Sequence, residues 1–162
     1  MKIGQLVIVL AFIVSVAEAG QPAGSRAPDF ALLDQFDKQV SLHDLEGKVV
    51  VLIASDDTGS KQNPEWKKAI EQYRGRVTVL GVADVRKVPF FLKSRFKRDF
   101  QKDPAVILLD WDGVIFTPYG LAKGVPNIVL IDKKGIVRHL YSGSAEPGAV
   151  EGLRAALDKS LE

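Results

Sequence analysis

The sequence predicts one α/β domain built on a mixed β-sheet, and three observations carry that prediction. Residues 49–54 are an unbroken apolar, largely β-branched run, the pattern of a strand covered on both faces. Helical periodicities then alternate with further apolar strands, as in βαβ units. Near the C-terminus two strand patterns are separated by Lys133, Lys134 and Gly135, which marks an antiparallel hairpin.

The elements follow in order. Lys2, the apolar run of residues 6–14 and Ala17-x-Ala19 before Gly20 have the three parts of a secretory signal peptide, so residues 1–19 read as an export signal cleaved after Ala19. The run is shorter than the roughly 20 residues that span a bilayer, and no basic cluster follows it. The mature protein is therefore expected to be periplasmic or secreted, with no stable membrane anchor. Residues 20–28 read as a flexible lead-in and 29–162 as the folded domain. Residues 30–33 and 39–41 read as short strands, and Ser41 with Asp44 as a capped helical turn closed by Gly47. After the central strand, Asn63 is placed as N-cap and Pro64 in the first turn of a helix carrying Trp66, Ile70 and Tyr73. Residues 77–83 form the next strand. Pro89 opens a helix whose Leu92, Phe96 and Phe100 recur every four residues and read as a core stripe. Strands at 105–109, 128–131 and 136–141 follow, then a last helix opened by Pro147 with Val150, Leu153, Leu157 and Leu161 on one side.

Composition narrows function by exclusion. The 162 residues suit one domain, and 46% hydrophobic with 26% charged residues is globular composition. The 22 basic residues nearly balance the 20 acidic ones, so a formal charge of +2 gives no nucleic-acid footprint. The chain has no cysteine, which removes disulfides, thiolate metal sites and thiol nucleophiles together.

Three stretches carry a family resemblance: Ala27-Pro28-Asp29-Phe30-Ala31-Leu32 with Val40-Ser41-Leu42 and the strand after Gly47; Leu108-Leu109-Asp110-Trp111-Asp112-Gly113 with Tyr119-Gly120; and Gly124-Val125-Pro126 running into Leu130-Ile131-Asp132-Lys133-Lys134-Gly135. In this order they resemble the thioredoxin-like redoxins, which include alkyl hydroperoxide reductase/thiol-specific antioxidant proteins and periplasmic thiol-disulfide reductases. The resemblance implies a thioredoxin-like fold, a central mixed sheet flanked by helices with an N-terminal β-hairpin extension, and a cis peptide bond at Val125-Pro126. It also implies that Asp57 and Ser60 stand near the family's two cysteine positions. A smaller resemblance is to YtfJ-type periplasmic proteins, which share a cysteine-free polar loop here.

With no thiol, no catalytic, cofactor or metal residues are assigned. Thr58 and Ser60 offer hydroxyls, but a hydroxyl nucleophile needs an adjacent base, and His43 and His139 have no evident place beside the loop. These hydroxyls read as turn and capping groups. Asp56, Asp57 and Asp84 follow adjacent strands and offer an alternative as a hard-cation site. The Asp110-x-Asp112-Gly113 segment resembles the haloacid-dehalogenase phosphotransferase signature, but it lies too late in the chain for that family's remaining motifs and fits a tight turn. Residues 86–102 hold seven basic side chains and one acid, an alternative anion-binding surface beside the plainer reading as a solvated helix face. The expected function is non-catalytic binding of a peptide or protein partner, with a redoxin-superfamily oxidoreductase, implied by the resemblance alone, as an alternative. Loops 56–61 and 124–127 are expected to be adjacent and to use Asp57, Thr58, Gly59, Ser60, Val125 and Pro126, with the proline-preceding backbone offered for strand addition.

Overall fold

The computed structural model describes residues 22–162, so the signal-peptide reading of residues 1–19 lies outside the described residues. Seven strands and three helices form: β1 Ala31–Leu33, β2 Gln39–Ser41, β3 Val50–Ser55, α1 Asn63–Ala69, β4 Thr78–Asp84, α2 Lys93–Phe100, β5 Ile107–Asp110, β6 Asn127–Ile131, β7 Val137–Ser142 and α3 Pro147–Leu161. The five-stranded sheet has the order β5-β4-β3-β6-β7, parallel across β3, β4 and β5 and antiparallel from β3 through β6 to β7. β1 and β2 make a separate antiparallel hairpin.

The apolar run at β3 is explained by its central position. All six of its residues are buried, and alternation sends them to opposite sides. Val51 and Ile53 pack with Trp66, Ile70 and Tyr73 and with Leu153 and Leu157 of α3. Val50, Leu52 and Ala54 pack with Phe30, Leu32, Phe116 and Tyr119 on the other face. Trp66 is fully buried, and its indole N–H donates to the Gly143 carbonyl at 3.0 Å.

Four sequence expectations change. The lead-in is tied down from Gly24 onward: Gly24 N–H donates to the Val137 carbonyl, Ala27 N–H to Gly135, and Val137 N–H to Ser25. That backbone pairing gives the segment partners a flexible lead-in would lack. Asn63 lies inside α1 and its side chain makes no cap; its Nδ2 donates to Ser55 Oγ at 2.8 Å instead. The Val125–Pro126 bond is trans, since among the described residues no peptide bond is cis. Trans is the lower-energy form by about 0.5–1 kcal/mol, and the surrounding hydrogen bonds close this loop around it.

The fourth change is the stripe on α2. No α2 residue is buried, and Phe96 keeps 38% of its surface exposed. Polar tethers hold the helix: Lys97 pairs with Asp37, Gln101 Nε2 donates to the Gln35 carbonyl at 2.8 Å, and Lys93 Nζ lies 4.6 Å from the Trp111 ring centroid. Gln35 is itself buried and closes the free edge of β5, accepting from Ile107 N–H and donating to the Ala105 carbonyl. α2 is thus fixed toward the sheet edge and the N-terminal hairpin, which leaves the sheet face at Val79 partly uncovered.

Asp110 ends β5 fully buried, and its carboxylate accepts from Val114, Ile115 and Phe116 N–H at 2.7, 3.0 and 3.0 Å. This satisfies the turn that seats Ile115, Phe116 and Tyr119 in the core, so the phosphotransferase reading of that aspartate gives way to a structural one. Leaving buried donors unpaired costs about 1–3 kcal/mol each. Asp110→Ala is therefore expected to lower the unfolding free energy by about 3 kcal/mol in urea denaturation, and Asp110→Asn by less because it retains an acceptor oxygen.

Candidate functional site

The loop after β3 is organised by its first residue. Asp56 Oδ1 accepts Gly59 N–H at 2.9 Å, a local turn, while Oδ2 accepts Gly124 N–H at 2.8 Å, a contact 68 residues away in sequence. Its backbone carbonyl accepts Ser60 N–H, and Ser60 Oγ donates to the Asp57 carbonyl at 2.8 Å. Gly59 is buried against the second loop. A Cβ there would lie 2.5 Å from both the carbonyl carbon and oxygen of Val125 and 3.0 Å from Pro126 N, so only glycine fits this approach.

Asn127 organises the second loop from within the sheet. It is fully buried: Oδ1 accepts Ala122 N–H at 2.8 Å and Ser142 Oγ–H at 2.6 Å. Its Nδ2 donates to Ala122, Ala54 and Val125 carbonyls. The two loops are adjacent, as expected, but joined face to face. Gly59 and Pro126 are buried, and the Val125 carbonyl is occupied, while Asp57, Thr58 and Ser60 remain exposed. The edge expected to accept an extended peptide is filled by the protein's own Gly59.

The aspartates do not converge on a cation. Both Asp56 oxygens are held by backbone N–H groups, and Asp84 is bound by Arg86 through Nε at 2.8 Å and Nη2 at 2.7 Å. Those Arg86 hydrogen bonds hold the Asp84 carboxyl below the usual carboxylate range. Among the described residues no three histidine, aspartate or glutamate side chains group for a metal ion. His43 lies against Glu46, and His139 stands on β7 with its ring near Gly152 of α3, so neither imidazole hydrogen-bonds a loop hydroxyl. Burial pushes the His139 pKa down.

What opens beside the closed loops is a groove of about 1130 Å³ between α1, the β4–β5 side of the sheet and α2. Its upper rim carries Asp57, Thr58 and Ser60; its floor and far wall carry Val79, Ile107, Phe96 and Phe100. Asn63 lines it near Ser55, and its buried Oδ1 has no hydrogen-bond partner. An apolar floor edged by polar side chains suits a ligand that brings apolar groups. Sequence reasoning missed this groove because it assigned Phe96 and Phe100 to the core. It also missed Gly124 and Asn127, although the Asp-x-x-Gly spacing from Asp56 to Gly59 was a visible turn signal.

The comparisons with known proteins agree with this geometry. The sequence matches the family described as Redoxin over residues 22–157. Chloroplastic peroxiredoxin Q of Triticum aestivum is 31% identical over 140 residues, covering 76% of this chain and 60% of that protein. The chain thus spans about 60% of the length of the curated relative it matches. Among solved structures, a thiol:disulfide interchange protein DsbE from Chlorobium tepidum superposes with a TM-score of 0.68 at 26% identity, over 87% of this chain and 99% of that one. A protein disulfide isomerase from Bacteroides thetaiotaomicron gives 0.67 at 26%, over 86% and 90%. The exposed lipoprotein thioredoxin of Streptococcus pneumoniae, at 23% identity and a TM-score of 0.61 over 80% of this chain and 98% of that one, shares the fold.

The clamp generates a prediction. Gly59→Ala forces its Cβ into Val125, and overpacking of this kind costs about 1–3 kcal/mol. Thermal unfolding is expected to show a clear drop in Tm for Gly59→Ala, whereas exposed Thr58→Ala leaves Tm unchanged.

Proposed function

Since the chain belongs to the redoxin family over residues 22–157 and contains no cysteine, we propose that it is an exported, non-catalytic binding protein that takes a segment of a peptide or protein partner in the groove between α1 and α2. Redoxin chemistry needs a thiolate as nucleophile, and no residue of this chain supplies one. The position of the family's reactive loop is retained while its polar groups hold the two loops together. Export rests on the N-terminal pattern of Lys2, residues 6–14 and Ala17-x-Ala19.

The observation that carries the binding reading is the groove itself, lined by Asp57, Thr58 and Ser60 and by the partly exposed apolar residues Val79 and Val106. The partner's apolar side chains cover Val79 and Val106, each 38% exposed. Covering such surface is worth roughly 25 cal/mol per Å² before the costs of association. The cation alternative has less support, because two of its three carboxylates, Asp56 and Asp84, are already engaged.

Two measurements test this reading. The purified chain is expected to show neither dithiol-dependent insulin reduction nor peroxide turnover, and sustained turnover in either assay overturns the non-catalytic part. Peptides selected from a random library for binding are expected to be rich in apolar residues. Their affinity should fall by about tenfold, the equivalent of about 1.4 kcal/mol, in Val79→Lys and in Val106→Lys. Affinities unchanged in both variants place binding elsewhere.

A further inference from the structure

The segment between β4 and α2 carries a feature that the groove does not use. Pro89 ends in extended backbone and opens a tight helical turn, Phe90–Leu92. Phe90 is 83% exposed and Phe91 69% exposed, and their rings meet edge to face at 5.7 Å. Neither lines the cavity, whereas Leu92 and Phe96 do. Two adjacent aromatics cannot both follow the apolar side of a short helix, so Leu92 turns inward and the pair projects outward. Exposure of this degree on neighbouring phenylalanines is costly in water and marks an interaction site.

The charges around the pair have one sign. Among the described residues Lys87, Arg95 and Arg98 form no ion pair, and Lys93 places its charge over the Trp111 ring. The single acid of residues 86–102, Asp99, is paired with Lys102 at 2.6 Å. Lys97 and Arg86 are matched by Asp37 and Asp84. Four cationic side chains outside these ion pairs therefore share the segment with two protruding rings. The carboxyl of the segment's one acid, Asp99, is held below the usual range by Lys102 and to a lesser degree by Arg95 and Arg98.

We infer that Phe90, Phe91 and the surrounding Lys87, Lys93, Arg95 and Arg98 dock the protein peripherally on an anionic phospholipid surface. Rings on a projecting turn suit the headgroup and acyl boundary, where apolar side chains insert by about 5–10 Å. Long basic side chains can meanwhile extend along the surface and place their charges among lipid phosphates. A protein partner would need an apolar socket rimmed with acids. A bilayer offers both properties over its whole area. No helix among the described residues is long and apolar enough to cross a membrane, so the attachment is reversible. It lies beside the groove without occupying it, and would hold the binding site near the membrane.

The absence of cysteine makes the test site-specific. The full chain carrying Phe91→Cys is labelled with an environment-sensitive nitrobenzoxadiazole thiol reagent, and Lys159→Cys on α3 is labelled in parallel. Vesicles of equimolar phosphatidylglycerol and phosphatidylcholine are expected to brighten and blue-shift the label at 91 and leave that at 159 unchanged. Added Arg95→Glu and Arg98→Glu should weaken apparent vesicle affinity at least about tenfold, since each basic residue at an anionic surface contributes roughly fivefold. High salt should weaken it likewise. The inference is overturned if the label at 91 is silent with these vesicles, even where the chain sediments with them through another segment. An equal response to pure phosphatidylcholine vesicles also overturns it. So does a response to polyglutamate with none to vesicles, which would identify an acidic macromolecule as the partner.

Discussion

Asp56 accepts from two backbone N–H groups that belong to different parts of the chain, Gly59 in its own loop and Gly124 in the loop before β6. These bonds fix the direction in which the chain leaves the central strand, and hence where α1 begins. They also bring Gly59 so close to Val125 that no side chain fits between. Charge-assisted hydrogen bonds from a part-buried carboxylate are stronger than neutral ones, and here both oxygens are used. The reactive-loop position of the family thereby becomes a joint between two segments.

From that joint the functional consequences follow in sequence. Because both Asp56 oxygens accept backbone N–H groups, that carboxylate is committed to holding the loops together, while Asp57, Thr58 and Ser60 stay exposed. Because Val125 is occupied by Gly59 and Asn127, the edge at the proline is unavailable for strand addition. On the reading proposed above, recognition falls to the adjoining groove, where α2 stands away from the sheet. A fold can keep its architecture while its chemistry changes, since the sheet and the site are stabilised by different residues. Here β3 and its buried neighbours supply the architecture, and a handful of residues in two loops determine what it can do.

The strands were largely legible because burial on both faces leaves a continuous β-branched run, which little else explains, as at residues 49–54. The terminal hairpin was legible because Gly135 supplies the positive φ of 74° that its turn requires. The adjacency of the loops at 56–61 and 124–127 was legible through the family resemblance. Their closure was not, because it depends on a long-range bond from Asp56 to a backbone amide, and backbone groups leave no mark in sequence. Phe96 and Phe100 misled for a different reason: four-residue spacing shows which residues share a face, but not whether the sheet lies close enough to cover it. The bond from Asn63 to Ser55 was likewise set by tertiary packing over local preference, whereas the trans bond at Pro126 follows the local preference that the resemblance had overridden.

The dependence of both loops on one carboxylate is read most directly by amide hydrogen exchange at Gly59 and Gly124, followed by NMR in the parent protein and in Asp56→Ala. In the parent both amides should exchange slowly, and in the variant both should accelerate together while the amides of β3 and β6 stay protected. Rapid exchange of either glycine in the parent, or acceleration of only one in the variant, would contradict the joint on which this account rests.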